Sequence, residues 1–160
     1  MDRDQRRQFV RDHRTAIFGY GRRDHGPAMT VVYYVTDGDD LLVSTMAARG
    51  KARAVQRNPQ VSMCVVDEHF PMTYVQVYGT AKIETGEQAA AGLLVRIIEL
   101  MAGEPVPAER HEQIAAMARE EHRVVLRVTP YATFVTPPRH VHKMSDIDTL
   151  SHWTSASQPW

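Results

Sequence analysis

Residues 41–66 read LLVSTMAARGKARAVQRNPQVSMCVV, and the reading of this stretch decides the fold. LLVST and VSMCVV are short runs rich in Val and Leu, bounded by polar or turn residues, which is the pattern of β-strands. Between them Ala48 to Arg57 holds strong helix formers and stops at Asn58-Pro59, since the residue before a proline is pushed out of the α region. One strand therefore delivers the chain to a helix start that presents Arg49, Lys51 and Arg53. The first N–H groups of a helix lack partners and the macrodipole is positive there, so anions are favoured. The three cations predict a phosphate site; the plainer alternative is a solvated basic helix face.

Upstream, MDRDQRRQFVRDHR reads as a short charged helix over 3–13 that lies against the domain through Phe9 and Val10. TAIFGYG and AMTVVYYV follow as strands, separated by the turn-rich RRDHGP. Asp37-Gly38 then marks a hairpin into LLVST, because glycine supplies φ > 0 without steric cost. These three strands are expected to form an antiparallel meander. Downstream, a long strand over Met72 to Ile83 alternates Tyr74, Gln76 and Tyr78 against Val75, Val77 and Gly79. After Glu84 the period becomes helical, with Leu93, Leu94, Ile97, Ile98 and Met101 as a core stripe and Gly103 as a stop. A second helix is expected over Ala108 to Glu121. HRVVLRVTPYATFVT closes the sheet, with Pro130 marking an edge or a bulge. Residues 1–142 read as one domain, and 143–160 as a polar tail, either flexible or folded onto a partner subunit.

The composition narrows the function. In 160 residues, 19 basic side chains balance 19 acidic ones and the pI is near 7.1. Such a balance predicts no bulk attraction to nucleic acid or to an anionic membrane. The N-terminus lacks the apolar run of a signal peptide and no stretch is long enough to span a bilayer, so a cytoplasmic location is expected. The single cysteine, Cys64, sits in an apolar strand and reads as a small hydrophobe. No G-x-S-x-G, H-E-x-x-H, Walker or Rossmann pattern is present. Among eight histidines, His140 and His142 share a strand face, yet no Cys or carboxylate cluster accompanies them at ligand spacing, Asp146 and Asp148 included, and no metal is expected. No residue stands out as a catalytic acid or base.

From about Thr15 to Glu84 the order of these pieces resembles the split β-barrel flavin-binding family, which includes pyridoxamine 5′-phosphate oxidase and the flavin/deazaflavin oxidoreductases. The residues that carry the resemblance are T-x-x-x-R-G-K-A-R-x-x-x-R-N-P from Thr45, the apolar strand after it, and Y-V-Q-V-Y-G-T-A from Tyr74. The resemblance implies a mainly β fold, a six- or seven-stranded antiparallel split barrel with flanking helices. It also implies FMN or F420 in a groove between two subunits of a homodimer. Lys51 matches the phosphate-binding lysine, Arg53 the second basic position and Thr45 the threonine at the strand end. Arg49 and Gly50 fall where the oxidase has a serine and a basic residue, a spacing more like the deazaflavin-type members. Met29, Thr30 and Val31, with Val43 and Ser44, match strand segments that edge the ring, and Tyr74 and Gln76 match positions near it.

One departure bears on the reaction. Pyridoxamine phosphate oxidases close on an R-x-H-D-R substrate motif, whereas this chain closes on VTPYATFVTPPRHVHK, with only Arg139-His140 as an echo. Vitamin B6 oxidation is therefore disfavoured. Hydride transfer between the cofactor ring and a small conjugated organic substrate stacked on it is the expected reaction. The alternative is a non-catalytic flavin or haem carrier of the same fold, with His140, His142 or His152 as axial ligand.

Overall fold

The computed structural model describes residues 1–69, 72–135, 144–145 and 156–160. Its strands are β1 (Thr15–Tyr20), β2 (Ala28–Tyr33), β3 (Val35–Asp37), β4 (Asp40–Met46), β5 (Gln60–Asp67), β6 (Thr73–Glu84), β7 (Arg123–Phe134) and the two-residue β8 (Gln158–Pro159). The helices are α1 (Arg3–Asp12), α2 (Gly50–Arg57), α3 (Glu87–Ala102) and α4 (His111–Glu120). All strand pairs are antiparallel, in the order β2-β1-β5-β6-β7-β4-β3, with β8 added to β7. The fold is the expected split barrel.

The barrel curls because β2 and β3, at opposite ends of that order, are one segment interrupted only at Tyr34. The expected antiparallel meander is present, with its middle strand broken at Tyr34. Residues 28–33 pair with β1 and residues 35–37 with β4, so the segment read as a single strand serves two neighbours. Tyr34 is 1% exposed, its N–H donates to the Arg14 carbonyl, and its hydroxyl donates to the Val10 carbonyl at 2.6 Å. Anchoring that side chain inward is what bends the segment. β4 continues past the end of β3 and pairs with β7 from Leu41 to Met46. Gly38, with φ +61°, turns the β3–β4 hairpin.

The interior is filled from one face of each strand: Phe18, Val32, Val43, Met63, Val65, Val75, Val77, Leu126 and Val128, with Val10 from α1. On β6 the alternation holds, with Val75, Val77, Gly79 and Ala81 inside and Tyr74, Gln76 and Tyr78 outside the interior. Pro130 sits at a bulge, where Tyr78 pairs with Ala132 and Gly79 with Pro130, leaving Tyr131 as the extra residue. α1 starts at an Asp2/Gln5 capping box. α3 buries Leu93, Leu94 and Ile97 and ends at Gly103 with φ +76°, whereas Met101 is 55% exposed and lies off the core stripe. The second helix is shorter than expected, with residues 108–110 winding as a 3₁₀ turn before α4.

β8 adds to β7, Trp160 packs on the interior cluster, and Arg3 Nε donates to the Trp160 carbonyl at 2.7 Å. Arg139, His140, His142, Asp146, Asp148 and His152 lie outside the described residues. No helix among the described residues is long and apolar enough to cross a membrane.

Candidate functional site

The split in the barrel positions the site. Among the described residues β2 pairs only with β1, and β4 beyond Leu42 pairs only with β7, so there the facing edges of β2 and of residues 43–46 carry no ladder. Unladdered backbone N–H and C=O groups seek partners. Three residues separate β4 from α2, fixed by the Arg49 N–H on the Met46 carbonyl and the Arg53 N–H on the Arg49 carbonyl. It starts at Gly50, not Ala48, because residues 47–49 are spent on the turn out of β4. Among the described residues no side chain caps that start, so its leading N–H groups are open to an anion.

A cavity of about 430 Å³ fills this angle, lined by Thr30, Val31, Ser44, Thr45, Arg49, Gly50 and Lys51. Seven of the twelve residues expected at a cofactor thus meet in one place. The others divide. Val43 is fully buried in the barrel interior and does not line this cavity. Met29 and Gln76 line a second cavity, of about 380 Å³, on the outer face of the sheet. Tyr74 lies on that same face, its register partner Val66 being two residues from Cys64, which pairs with Gln76. Arg53 lines a third cavity with Arg22, Arg23 and Arg57, joined to the first through Tyr20 and Gly50. Tyr20, Met46 and Arg123 also line the first cavity, and sequence reasoning missed them. Arg123 is brought in by its pairing with Met46 across 77 positions, which no local pattern shows.

The cavity is short of negative charge. Among the described residues neither Arg49 nor Lys51 has a side-chain hydrogen bond or ion pair. Burial pushes the Lys51 ammonium below the usual lysine range, and neighbouring Arg49 pushes it further the same way. Arg123 is held by Glu121 at 2.6 Å and reaches Ser44 Oγ at 3.4 Å. Thr30 Oγ1 is buried and, among the described residues, without a partner. Unpaired cations, an orphaned hydroxyl, a helix start and two open strand edges suit a ligand with a phosphate and a polar-edged ring. Among the described residues no three metal-ligating side chains are clustered.

The outer face beside this site is apolar and open. Val31 is 74% exposed, Met29 71%, Met72 59% and Tyr131 52%, with Ile17 and Tyr33 between them on β1 and β2. Isolated exposed apolar residues are ordinary, whereas these side chains form a contiguous group on one sheet face.

Residues 3–136 match the family model described as Pyridoxamine 5′-phosphate oxidase. Solved structures that share the fold include a conserved hypothetical protein from Mycobacterium tuberculosis, with TM-score 0.73 and 22% identity over 91% of this chain and 94% of that one. An F420 reductase aligns with TM-score 0.56 and 24% identity, over 75% of this chain and 88% of its own. A heme storage protein from Vibrio cholerae aligns with TM-score 0.61 and 15% identity, over 83% and 93%. No curated protein matches the chain.

Proposed function

The chain belongs to the pyridoxamine 5′-phosphate oxidase family, and from that premise we propose that it is an oxidoreductase carrying FMN or F420 in the split between β2 and β4. The observation that supports this most is the half-buried, unpaired Lys51 beside Arg49 at the open start of α2. A phosphate there would gain charge-assisted hydrogen bonds and relieve the cation pair. The ring would lie along the strand edges, with Thr30 Oγ1 and Ser44 Oγ as hydrogen-bond partners. When bound, the ring supplies the hydride chemistry, and the protein supplies orientation and electrostatics.

The substrate is proposed to be a small conjugated organic molecule stacked on the ring. Pyridoxamine phosphate is not favoured, since the closing sequence lacks the R-x-H-D-R arrangement. The apolar outer face, with Ile17, Met29 and Tyr33, is proposed to bind a second copy of the chain. In such a homodimer Tyr74 and Gln76 of one copy would lie close to the cofactor of the other. With zero formal charge, a cytoplasmic protein that binds neither nucleic acid nor membrane is the matching setting.

An absorbance spectrum of the purified protein, followed by titration with FMN and F420, tests this reading. A flavin or deazaflavin band, or saturable uptake of either cofactor, is the expected result. An intense Soret band with no uptake of either would replace it with haem carriage.

A further inference from the structure

Among the described residues Tyr20 is the one side chain that borders all three of the cavities around α2 and the outer sheet face. Its backbone is held on both sides, paired with Ala28 of β2 and with Val61 of β5. The ring packs against the barrel interior, its centroid 6.1 Å from that of Phe18. The hydroxyl emerges at the first residue of α2, where a Cβ built on Gly50 would stand 3.3 Å from it. Among the described residues that hydroxyl has no hydrogen-bond partner. A phenol with its body fixed in apolar packing and its tip at a polar rim is a preorganised donor that loses little entropy on binding.

Gly50 supports the same point from the other side. A helix start tolerates glycine but gains nothing from it, and the position is not one that needs a left-handed backbone. What a side chain would meet there is the Tyr20 hydroxyl. The glycine leaves that oxygen close to the first N–H groups of the helix, with Arg49 and Lys51 alongside in the same cavity.

Resting on the cofactor reading above, we propose that the Tyr20 hydroxyl donates a hydrogen bond to the cofactor phosphate and, with Lys51, fixes where that phosphate sits over the start of α2. Tyr20 is a binding residue for the phosphate and has no part in the ring chemistry. Its contribution depends on the phosphate being present. That separates it from a residue that merely packs against the ring.

The test pairs each cofactor with its phosphate-free counterpart, FMN with riboflavin and F420 with its phosphate-free 5-deazaflavin. Wild type, Tyr20→Phe and Lys51→Ala are titrated with whichever pair wild type binds. Tyr20→Phe keeps the aromatic packing and removes only an unpartnered hydroxyl, so its melting temperature without cofactor should equal that of wild type. The dissociation constant of the phosphate-bearing form should rise about tenfold, while that of the phosphate-free form stays unchanged. Gly50→Ala, which crowds the hydroxyl, should shift the same constant in the same direction. If Tyr20→Phe changes neither form while Lys51→Ala weakens the phosphate-bearing one, this inference fails and the cofactor reading stands. Equal weakening of both forms would make Tyr20 a ring-packing residue and also overturn it. If wild type binds neither pair, the cofactor reading fails and takes this inference with it.

Discussion

The hydroxyl of Tyr34 donates to the carbonyl oxygen of Val10 at 2.6 Å, tying the bend between β2 and β3 to the last turn of α1. Tyr34→Phe keeps the ring and leaves a helix-end carbonyl buried without its partner. The expected cost is about 2 kcal/mol, a fall in melting temperature of about 4 to 8 °C for a chain of this size. Burial, with Asp12 adding to it, pushes the Tyr34 phenol well above its ordinary value of 10.0. The folded protein therefore favours the protonated phenol, and its stability should fall as the pH rises above about 10, where the unfolded phenol ionises. Thermal scans from neutral to alkaline pH check both effects, and Tyr34→Phe should flatten the alkaline loss.

Gly79 faces the barrel interior at the bulge, and a Cβ there would lie 2.5 Å from Val128 Cγ1 and 3.1 Å from the Thr129 carbonyl oxygen. The second contact is backbone and cannot rotate away. Gly79→Ala should destabilise the fold by about 2 to 3 kcal/mol, measured by denaturant unfolding. Gly26→Ala, where a Cβ meets nothing within 4 Å, is the matched control and should change stability little.

Lys51 should show a trade-off between binding and stability. Its depressed pKa, from burial first and Arg49 second, means the folded state carries an unfavourable charge at neutral pH. A lowered lysine pKa makes folding more favourable as pH rises through that pKa, so the penalty is fully present below it and lifts as the pH rises. Lys51→Met should leave the melting temperature of the cofactor-free protein unchanged or slightly raised while weakening cofactor binding. A lower melting temperature for the cofactor-free variant would argue that Lys51 has a structural partner.

Much of this arrangement was legible in the chain because its determinants are local. The strand, helix start and strand of residues 41–66, the Asp37-Gly38 hairpin and the alternation of Tyr74 and Gln76 against Val75 and Val77 are set by period and turn chemistry. Arg49 and Lys51 follow from the same local reading. What was not legible depends on pairing at a distance. The bend at Tyr34 exists because Val10 and Arg14 hold that residue, and neither lies in its strand. Arg123 reaches the cavity only through its register with Met46. Val43 carried a plausible motif position, but the pleat turns it into the interior. The return of Trp160 rests on Arg3 and on an open stretch of the β7 edge, which a polar composition does not reveal.

The outer face gives a prediction about assembly. If it binds a second copy, wild type should scatter light as a dimer at micromolar concentration. Ile17→Glu places a charge among Met29, Val31 and Cys64 on that face and should give a folded monomer with an unchanged far-ultraviolet circular dichroism spectrum. A wild-type monomer would contradict this assembly.

Comparing cofactor affinity in wild type and Lys51→Ala at one fixed ionic strength tests the central claim most directly. A phosphate held at the start of α2 predicts a dissociation constant raised about tenfold to a hundredfold in the variant, from loss of a charge-assisted contact worth about 1.5 to 3 kcal/mol. Unchanged constants for both FMN and F420 would mean that the cations of α2 are simply solvated, and would contradict the proposed site.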